Sequence, residues 1–320
     1  MTEVREFRVN GIVPIIPTPF LRDEQIDWAS LKALVDFACA SGACGMCLPA
    51  YASEFYKLSE HEKLRVVAEA VQQAAGRLPV FAQVNFVSAR QAVEAAMEAQ
   101  RSGASAISAA VPRIFGFGEA ELHHYFDRIL SSIEIPLLIQ DFNPSGPTIT
   151  PRFIAELHRA HPHFLWVKLE EPMMSPKVSA ILEATDGRVG VLEGWGGMYM
   201  LDLIPAGICG VMPGLGVADL LALVFQHAAA GRAGQAYEIF SAVLPQILFS
   251  LQHMELYHHA EKRLLAARGV VQGSVVRQVT LRLDRHLDDR ISVLNEQILT
   301  ALDRFNLPHN PAIAATAQPQ

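Results

Sequence analysis

One lysine of the sequence lies in surroundings where lysine is uncommon. Lys168 follows the apolar residues 164–167 in the segment FLWVKLEE. Lysine is rarely buried, and surroundings of low dielectric constant disfavour the charged form of its amine. A neutral amine attacks ketones, and the imine that forms withdraws electrons from the neighbouring carbon atoms. Lys168 is therefore a candidate for Schiff-base catalysis, whereas the alternative is a lysine that reaches solvent or pairs with Glu170 or Glu171.

Other polar residues and two glycine-rich loops also follow apolar runs. Asp141 could carry protons for imine chemistry, pair with the lysine, or bond to its own backbone. Arg113 could bind a carboxylate through two hydrogen bonds or remain a surface charge. The loops contain Gly194, Trp195 and Gly214. Their N–H groups could bind a carboxylate or phosphate, although tight turns alone also require glycine.

The cysteines and histidines form no recognisable metal motif. Cys44 and Cys47 are spaced as C-x-x-C, but no second pair of ligands accompanies them. We interpret them as small buried thiols. The sequence also lacks H-E-x-x-H, a helical spacing that holds zinc. We therefore expect neither a metal site nor a bound cofactor.

The candidate residues lie at the ends of regularly spaced apolar runs. Eight such runs alternate with helical patterns between residues 11 and 230. The runs are continuous rather than alternating, which is typical of a parallel sheet buried on both faces. Eight β/α units in this length predict a (β/α)₈ barrel, whose active sites lie at the carboxyl ends of the strands. A doubly wound open sheet is the alternative, and the lack of G-x-G-x-x-G after the first run argues against its dinucleotide-binding form.

Local signals predict where several elements begin and where the barrel ends. Asp27 is a plausible N-cap, and Ser59 with Glu62 forms a capping box. From residue 231 onward the strand pattern stops and only helical patterns follow. We therefore predict a barrel over 1–230, a C-terminal helical region over 231–307 and a disordered tail over 308–320.

Composition restricts the class of protein. The 320 residues are 51% hydrophobic and carry a formal net charge of −7 at pH 7, which argues against general disorder. Without a basic stripe, nucleic acid and anionic membranes are poor partners. No apolar run reaches the roughly 18–20 residues of a membrane span, and the polar N-terminus lacks a signal-peptide core. We expect a cytoplasmic protein.

The order of motifs over residues 8–305 resembles the dihydrodipicolinate synthase / N-acetylneuraminate lyase family of class I pyruvate aldolases. The shared features are PTPF at Pro17–Phe20, Ser-Glu after the second strand, a proline after the fifth, VK in the sixth and a glycine-rich end of the seventh. The resemblance implies that Lys168 forms a Schiff base with a 2-keto acid. It also implies a homo-oligomer, either a dimer or a tetramer.

Two motifs depart from the family pattern. The family's G-[ST]-T-G-E reads AYASE here, with Tyr51 and Ala52 at the hydroxyl positions. The carboxylate of the substrate is therefore expected to contact Tyr51, Ala52, Ser53 or backbone N–H groups. The family's Y-N-x-P reads DFNP, so that Asp141 occupies the position of the tyrosine that moves protons. The resemblance thus implies a lyase other than an authentic dihydrodipicolinate synthase.

Three functions fit this sequence. The first is an aldolase in which Lys168 attacks pyruvate or a longer 2-keto acid and Asp141 moves protons. The second is a dehydratase of 2-keto-3-deoxy sugar acids that uses the same imine. The third is a non-catalytic sensor of small molecules on the same barrel, which the loss of the tyrosine and of the hydroxyl pair would permit.

Overall fold

Strands and helices alternate along the first two thirds of the chain. The computed structural model describes residues 8–113, 116–142 and 149–316. The strands are β1 (Gly11–Ile12), β2 (Met46–Leu48), β3 (Val80–Gln83), β4 (Ala106–Ala110), β5 (Leu137–Phe142), β6 (Phe164–Glu170), β7 (Gly190–Glu193) and β8 (Gly210–Val211). The helices that follow them are α1 (Trp28–Ala40), α2 (Glu60–Ala74), α3 (Ala89–Arg101), α4 (Glu119–Leu130), α5 (Pro151–Ala160), α6 (Met174–Ala184), α7 (Met200–Leu203) and α8 (Ala218–Ala229).

The eight strands form one parallel sheet that closes on itself. Their order is β1-β8-β7-β6-β5-β4-β3-β2. Between β1 and β2, Ile15 and Cys47 form a parallel bridge, and the N–H of Ile16 donates to the carbonyl of Cys47 at 3.0 Å. The fold is the predicted (β/α)₈ barrel, and the open doubly wound sheet is wrong.

The predicted helix starts are confirmed in their hydrogen bonds. Asp27 Oδ1 accepts from the N–H of Ser30 at 3.1 Å at the start of α1. At the start of α2, Ser59 Oγ accepts from the N–H of Glu62 at 3.2 Å, and Glu62 Oε2 accepts from the N–H of Ser59 at 2.8 Å. These bonds satisfy donors that a helix start otherwise leaves unpaired.

The C-terminal region is helical, as predicted. It comprises α9 (Ala233–Ser250), α10 (Met254–Ala267), α11 (Arg285–Arg304) and α12 (Pro311–Thr316). The tail that we expected to be disordered from residue 308 instead contains α12. The segment before α12 is held by Arg268, whose Nε donates to the carbonyl of His309 at 2.8 Å. Within the described ranges, no helix has the length and apolarity that a membrane crossing requires.

Residues of the strands alternate between two apolar layers. Leu138, Trp166 and Leu192 belong to the layer inside the barrel. Ile139 and Val167 belong to the layer between the barrel and the helices. Because side chains alternate along a strand, residues two positions further on continue into the same layer. This parity decides which polar residues at the strand ends reach the interior.

Candidate active site

A lysine and a carboxylate continue the inner layer of β6. Lys168 and Glu170 follow Trp166 on the same face of the strand, and both side chains are buried. The Nζ of Lys168 lies 3.2 Å from Glu170 Oε1. On the neighbouring strand, Gln140 is in register with Lys168, and its Nε2 donates to Glu170 Oε2 at 2.5 Å. The interior of the barrel therefore changes from apolar to polar at its carboxyl end.

A cavity of about 400 Å³ opens above these residues. It is bounded by the carboxyl ends of the strands and by the segment that joins α9 to α10. Its walls consist of backbone, aromatic and aliphatic groups around one amine, with these residues: Ile15, Ala50, Tyr51, Ala52, Gln140, Phe142, Lys168, Glu170, Gly194, Trp195, Gly196, Met198, Tyr199, Met212, Pro213, Gly214, Leu251, Gln252, His253, Met254 and Tyr257. Such an enclosed site with a few convergent polar groups is suited to a small ligand.

Six of the residues predicted from the sequence meet in this cavity. Tyr51 and Ala52 lie in a short 3₁₀ turn after β2, and Gly194 and Gly214 follow β7 and β8. The remaining two are Lys168 and Trp195. Gly194 is required by close packing, because a Cβ there would lie 2.6 Å from Cε of the lysine.

Ser53 lies behind the cavity wall rather than in it. Its hydroxyl donates to the carbonyl of Ile16 at 2.6 Å and accepts from the N–H of Ala50 at 3.0 Å. Its carbonyl accepts from the hydroxyl of Thr18 at 2.7 Å. Ser53 therefore fixes the turn against β1, and the expected contact between its side chain and a substrate is not supported.

Asp141 and Arg113 are also placed differently from the prediction. Asp141 follows Ile139 and so faces the helices instead of the cavity. Its Oδ1 accepts from Nη2 of Arg113 at 2.5 Å, and its Oδ2 accepts from Nζ of Lys177 and from the N–H of Ile149, both at 3.1 Å. Burial raises the pKa of Asp141, while the two cations act in the opposite direction. Both predicted roles, proton shuttle and carboxylate clamp, are therefore corrected to an ion cluster outside the barrel.

The cavity contains groups that the sequence did not single out. Gln140 faces Lys168 in the place where we expected Asp141. Tyr199, His253 and Tyr257 come from α7 and α10 and the residues before them. Because side chains alternate along a strand, counting two residues on from Lys168 in β6 would have predicted Glu170 on the same face as the lysine. The family motif continues into Asn143 and Pro144, which lie outside the described residues.

Glu193 is a second buried carboxyl close to the site. It follows Val191 in the outer layer of β7, and its Oε2 accepts from the N–H of Gly197 at 2.7 Å. Burial raises its pKa to about 8, against the opposing effect of the backbone N–H groups of Gly197 and Tyr199. Glu193 thus holds the glycine-rich loop that carries Gly194 and Trp195 from behind.

The cysteines and acidic groups offer no evident place for a metal ion. Over 8–113, 116–142 and 149–316, no three His, Cys, Asp or Glu residues are grouped as ligands. Cys47 is buried, and this burial raises the pKa of its thiol to about 12. A thiol of that kind is a weak ligand because metals bind the thiolate.

Comparisons with known proteins agree with this fold. A model of the dihydrodipicolinate synthetase family matches residues 8–297. L-2-keto-3-deoxyarabonate dehydratase of Azospirillum brasilense is 29% identical over 251 residues, which are 77% of this chain and 81% of that protein. N-acetylneuraminate lyase of Rhizobium meliloti is 29% identical over 161 residues, which are 50% of this chain and 54% of that protein.

The fold itself recurs in solved structures. The 4-hydroxy-tetrahydrodipicolinate synthase of Methylacidiphilum fumariolicum SolV superimposes with a TM-score of 0.85 at 19% identity, covering 93% of this chain and 98% of that one. Because the identity is low, this likeness establishes the architecture alone. The match of the family model over nearly the whole chain establishes more, and the chain therefore belongs to the dihydrodipicolinate synthetase family.

Proposed function

We propose that this protein is a Schiff-base lyase that dehydrates 2-keto-3-deoxy sugar acids. The observation that carries the proposal is the pair of Lys168 and Glu170, 3.2 Å apart and facing one cavity inside the barrel. Membership of a lyase family and the similarity to a keto-deoxy sugar acid dehydratase support it. A nucleophilic amine beside an acid–base group is the minimal equipment for imine chemistry.

The two side chains can carry the reaction between them. Glu170 takes the proton that Lys168 must lose before its amine attacks the C2 carbonyl. It then returns this proton to the departing C2 hydroxyl, so that water leaves and a protonated imine forms. Glu170 next removes the proton on C3, which the imine acidifies, and donates it to the C4 hydroxyl, which leaves as a second water. Hydrolysis of the imine releases an unsaturated 2-keto acid and restores the amine.

The rest of the cavity fits a substrate with one carboxylate and an uncharged tail. Among its described lining residues, Lys168 is the one lysine or arginine. The two internal stretches outside the described residues, 114–115 and 143–148, contain no lysine or arginine in the sequence. We place the carboxylate at the N–H groups of Tyr51 and Ala52, which begin the 3₁₀ turn. The tail then faces Trp195 and the segment before α10.

Carbon–carbon cleavage is the second candidate reaction. The similarity to a lyase of Rhizobium meliloti favours it, and it needs the same imine. In that case Glu170 takes the proton of the C4 hydroxyl, and the C3–C4 bond breaks to give pyruvate and an aldehyde. The position proposed for Glu170 serves both reactions, so that only the products separate them.

The proposal is tested by trapping and by product analysis. The protein is incubated with each of a panel of 2-keto acids, reduced with borohydride and weighed intact. We expect a reduced adduct with the wild type and with Lys32→Ala, an exposed lysine, and none with Lys168→Ala. Loss of water from an intact carbon chain supports dehydration, whereas release of pyruvate supports cleavage. No adduct with any keto acid would instead favour the sensor.

The location and the assembly of the protein stay predictions. We infer a cytoplasmic enzyme that forms a dimer or a tetramer. The sequence features and the family resemblance support this, and light scattering on the purified protein tests the assembly.

A further inference from the structure

We propose that Asn85, Gln83 and Gln140 form a one-way hydrogen-bond chain that reserves a single carboxylate oxygen of Glu170 for proton transfer. The proposal rests on the role given to Glu170 in the proposed function. It assigns the three amides as positioning residues, because they act through Glu170 and not on the substrate. Its basis is the direction of each hydrogen bond, which can be followed from a backbone amide to the carboxylate.

The chain begins at a group whose direction is certain. The backbone N–H of Ala110, at the end of β4, donates to Asn85 Oδ1 at 2.9 Å. A backbone N–H can only donate, so Asn85 must present its oxygen on this side. Its amide nitrogen is buried and has no partner in the described part of the chain. Asn85 is therefore held in one orientation even at the expense of an unpaired donor.

Gln83 transmits this direction across the barrel. Its Nε2 donates to Asn85 Oδ1 at 3.0 Å and to Gln140 Oε1 at 2.6 Å, which uses both of its N–H bonds. Its Oε1 accepts from the hydroxyl of Ser108 at 3.3 Å and from the thiol of Cys47 at 3.4 Å. Reversing the amide would place its one oxygen against two acceptor oxygens, those of Asn85 and Gln140. The orientation of Gln83 is therefore determined by its neighbours.

Gln140 delivers the last bond to the carboxylate. Because its oxygen faces Gln83, its nitrogen must face Glu170, and it donates to Oε2 at 2.5 Å. An oxygen that accepts this bond does not point a proton of its own towards Gln140. Because Oε2 already accepts this bond, it is the less basic oxygen, which leaves Oε1, 3.2 Å from Nζ of Lys168, as the oxygen that takes and gives the proton. The chain separates the two oxygens into one that is held and one that reacts.

The amides of this hydrogen-bond chain are buried, and burial makes their mutual orientation costly to change. Gln83 and Gln140 are 6% and 3% exposed, and hydrogen bonds are stronger where water is excluded. One layer below, β3 and β5 fill the barrel with Phe81 and Leu138, whose side chains carry no polar atoms. Apolar residues could occupy the layer of the amides as well, and buried amides cost desolvation unless they are bonded. The polar layer occurs where the amine and carboxylate need a fixed orientation.

Several titratable groups besides the chain lie near Glu170. Lys168, on its own strand, and Tyr51, from the turn after β2, face the cavity with it, and Glu193 lies behind it in the outer layer of β7. Tyr199, His253 and Tyr257 line the same cavity. Burial raises the pKa of the Tyr51 phenol, and Glu170 raises it further. None of these groups belongs to the amide chain. Gln83→Glu would act on Glu170 through Gln140 and also through its added charge, so the uncharged Gln140→Met is the decisive variant.

The experiment compares pH profiles of kcat for Gln140→Met and Gln83→Glu with the wild type. Gln140→Met removes the donor to Glu170 with a side chain of similar volume. Gln83→Glu offers an acceptor in place of a donor, so that Gln140 reverses and turns its oxygen towards Glu170. Both changes disfavour the ionised carboxylate, and we expect the acid limb to move to higher pH by about one unit in each. Gln100→Glu is the matched control and should not move it, because Gln100 lies on α3 and its Oε1 accepts from the N–H groups of Glu134 and Ile135.

Borohydride trapping with pyruvate separates this proposal from the proposed function. Variants that still trap pyruvate and lose activity, but keep the acid limb of the wild-type pH profile, would overturn the proposed hydrogen-bond chain. A merely structural role of the amides lowers kcat without moving that limb. A wild-type protein that traps no keto acid would overturn the proposed function itself. If Gln83→Glu does not fold, an unmoved limb in Gln140→Met is sufficient to reject the chain.

Discussion

Two neighbouring residues of β5 belong to polar regions on opposite sides of the barrel wall. Gln140 faces the inner polar region, formed with Lys168 and Glu170, and Asp141 faces the outer ion cluster, formed with Arg113 and Lys177. In the outer ion cluster two cations and a backbone N–H bond to one carboxylate. In the inner polar region one amine meets one carboxylate beside a cavity of about 400 Å³.

This difference shows that burial of charge does not by itself identify a catalytic group. Asp141 is wholly buried, yet its oxygens are occupied by fixed donors and have no access to a ligand. Glu170 has one oxygen towards an amine that also faces the cavity. A proton can be exchanged in the second arrangement, whereas the first arrangement stabilises the ionised form and the local fold.

The largest expected effect comes from exchanging a lysine for arginine in each region. Arginine keeps the positive charge but stays protonated and cannot form an imine. Lys168→Arg should lower kcat by about 10⁴-fold or more and abolish borohydride trapping. Lys177→Arg can still bond to Asp141, so that trapping persists and kcat stays within a few fold. Equal losses in the two variants would erase the distinction between the regions.

Removing the charge of the inner carboxylate should impair chemistry more than folding. Glu170→Gln keeps the shape of the side chain but cannot take a proton from C3. We expect kcat to fall by about 10²–10⁴-fold, which is typical of the loss of an acid–base group. Thermal unfolding should remain close to that of the wild type, because the glutamine can still accept from Gln140 and Lys168 lies at the cavity. Near-normal turnover would remove Glu170 from the mechanism.

The same change in the outer ion cluster should have the opposite pattern. Asp141→Asn removes the carboxylate that Arg113 bonds to and leaves Lys177 its bond to Glu171. Breaking a buried ion pair from one side costs about 3 kcal/mol of unfolding free energy. Denaturant titration measures this loss, and trapping per folded molecule should be unchanged. If Asp141→Asn instead keeps its stability and loses trapping, the sequence-based role of Asp141 would regain support.

The sequence could predict the barrel and the lysine, but not which side chains of each strand point into the barrel. Eight continuous apolar runs and the caps at Asp27 and Ser59 determine the alternation of elements. A continuous apolar run does not show which residues face inwards, because both faces are apolar. An error of one residue then assigns a side chain to the wrong face. Counting back from Pro144 therefore selected Asp141 in place of Gln140. His253 was out of reach for another reason, because its position depends on how the C-terminal helices pack on the barrel.

Glu193 differs from Asp141, although both carboxyls belong to the outer layer. Within the described ranges no cation bonds to Glu193. Burial raises its pKa from an ordinary 4.5 to about 8. Between these values the folded protein keeps the proton that the unfolded chain has lost, so the stability contributed by Glu193 falls as pH rises. Glu193→Gln, which keeps an oxygen for the N–H of Gly197, should therefore gain up to about 5 kcal/mol relative to the wild type as pH rises from about 5 to about 8. Thermal melts across this range measure the gain, with the exposed Glu60→Gln as control. Parallel curves for Glu193→Gln and the wild type would mean that Glu193 is ionised throughout.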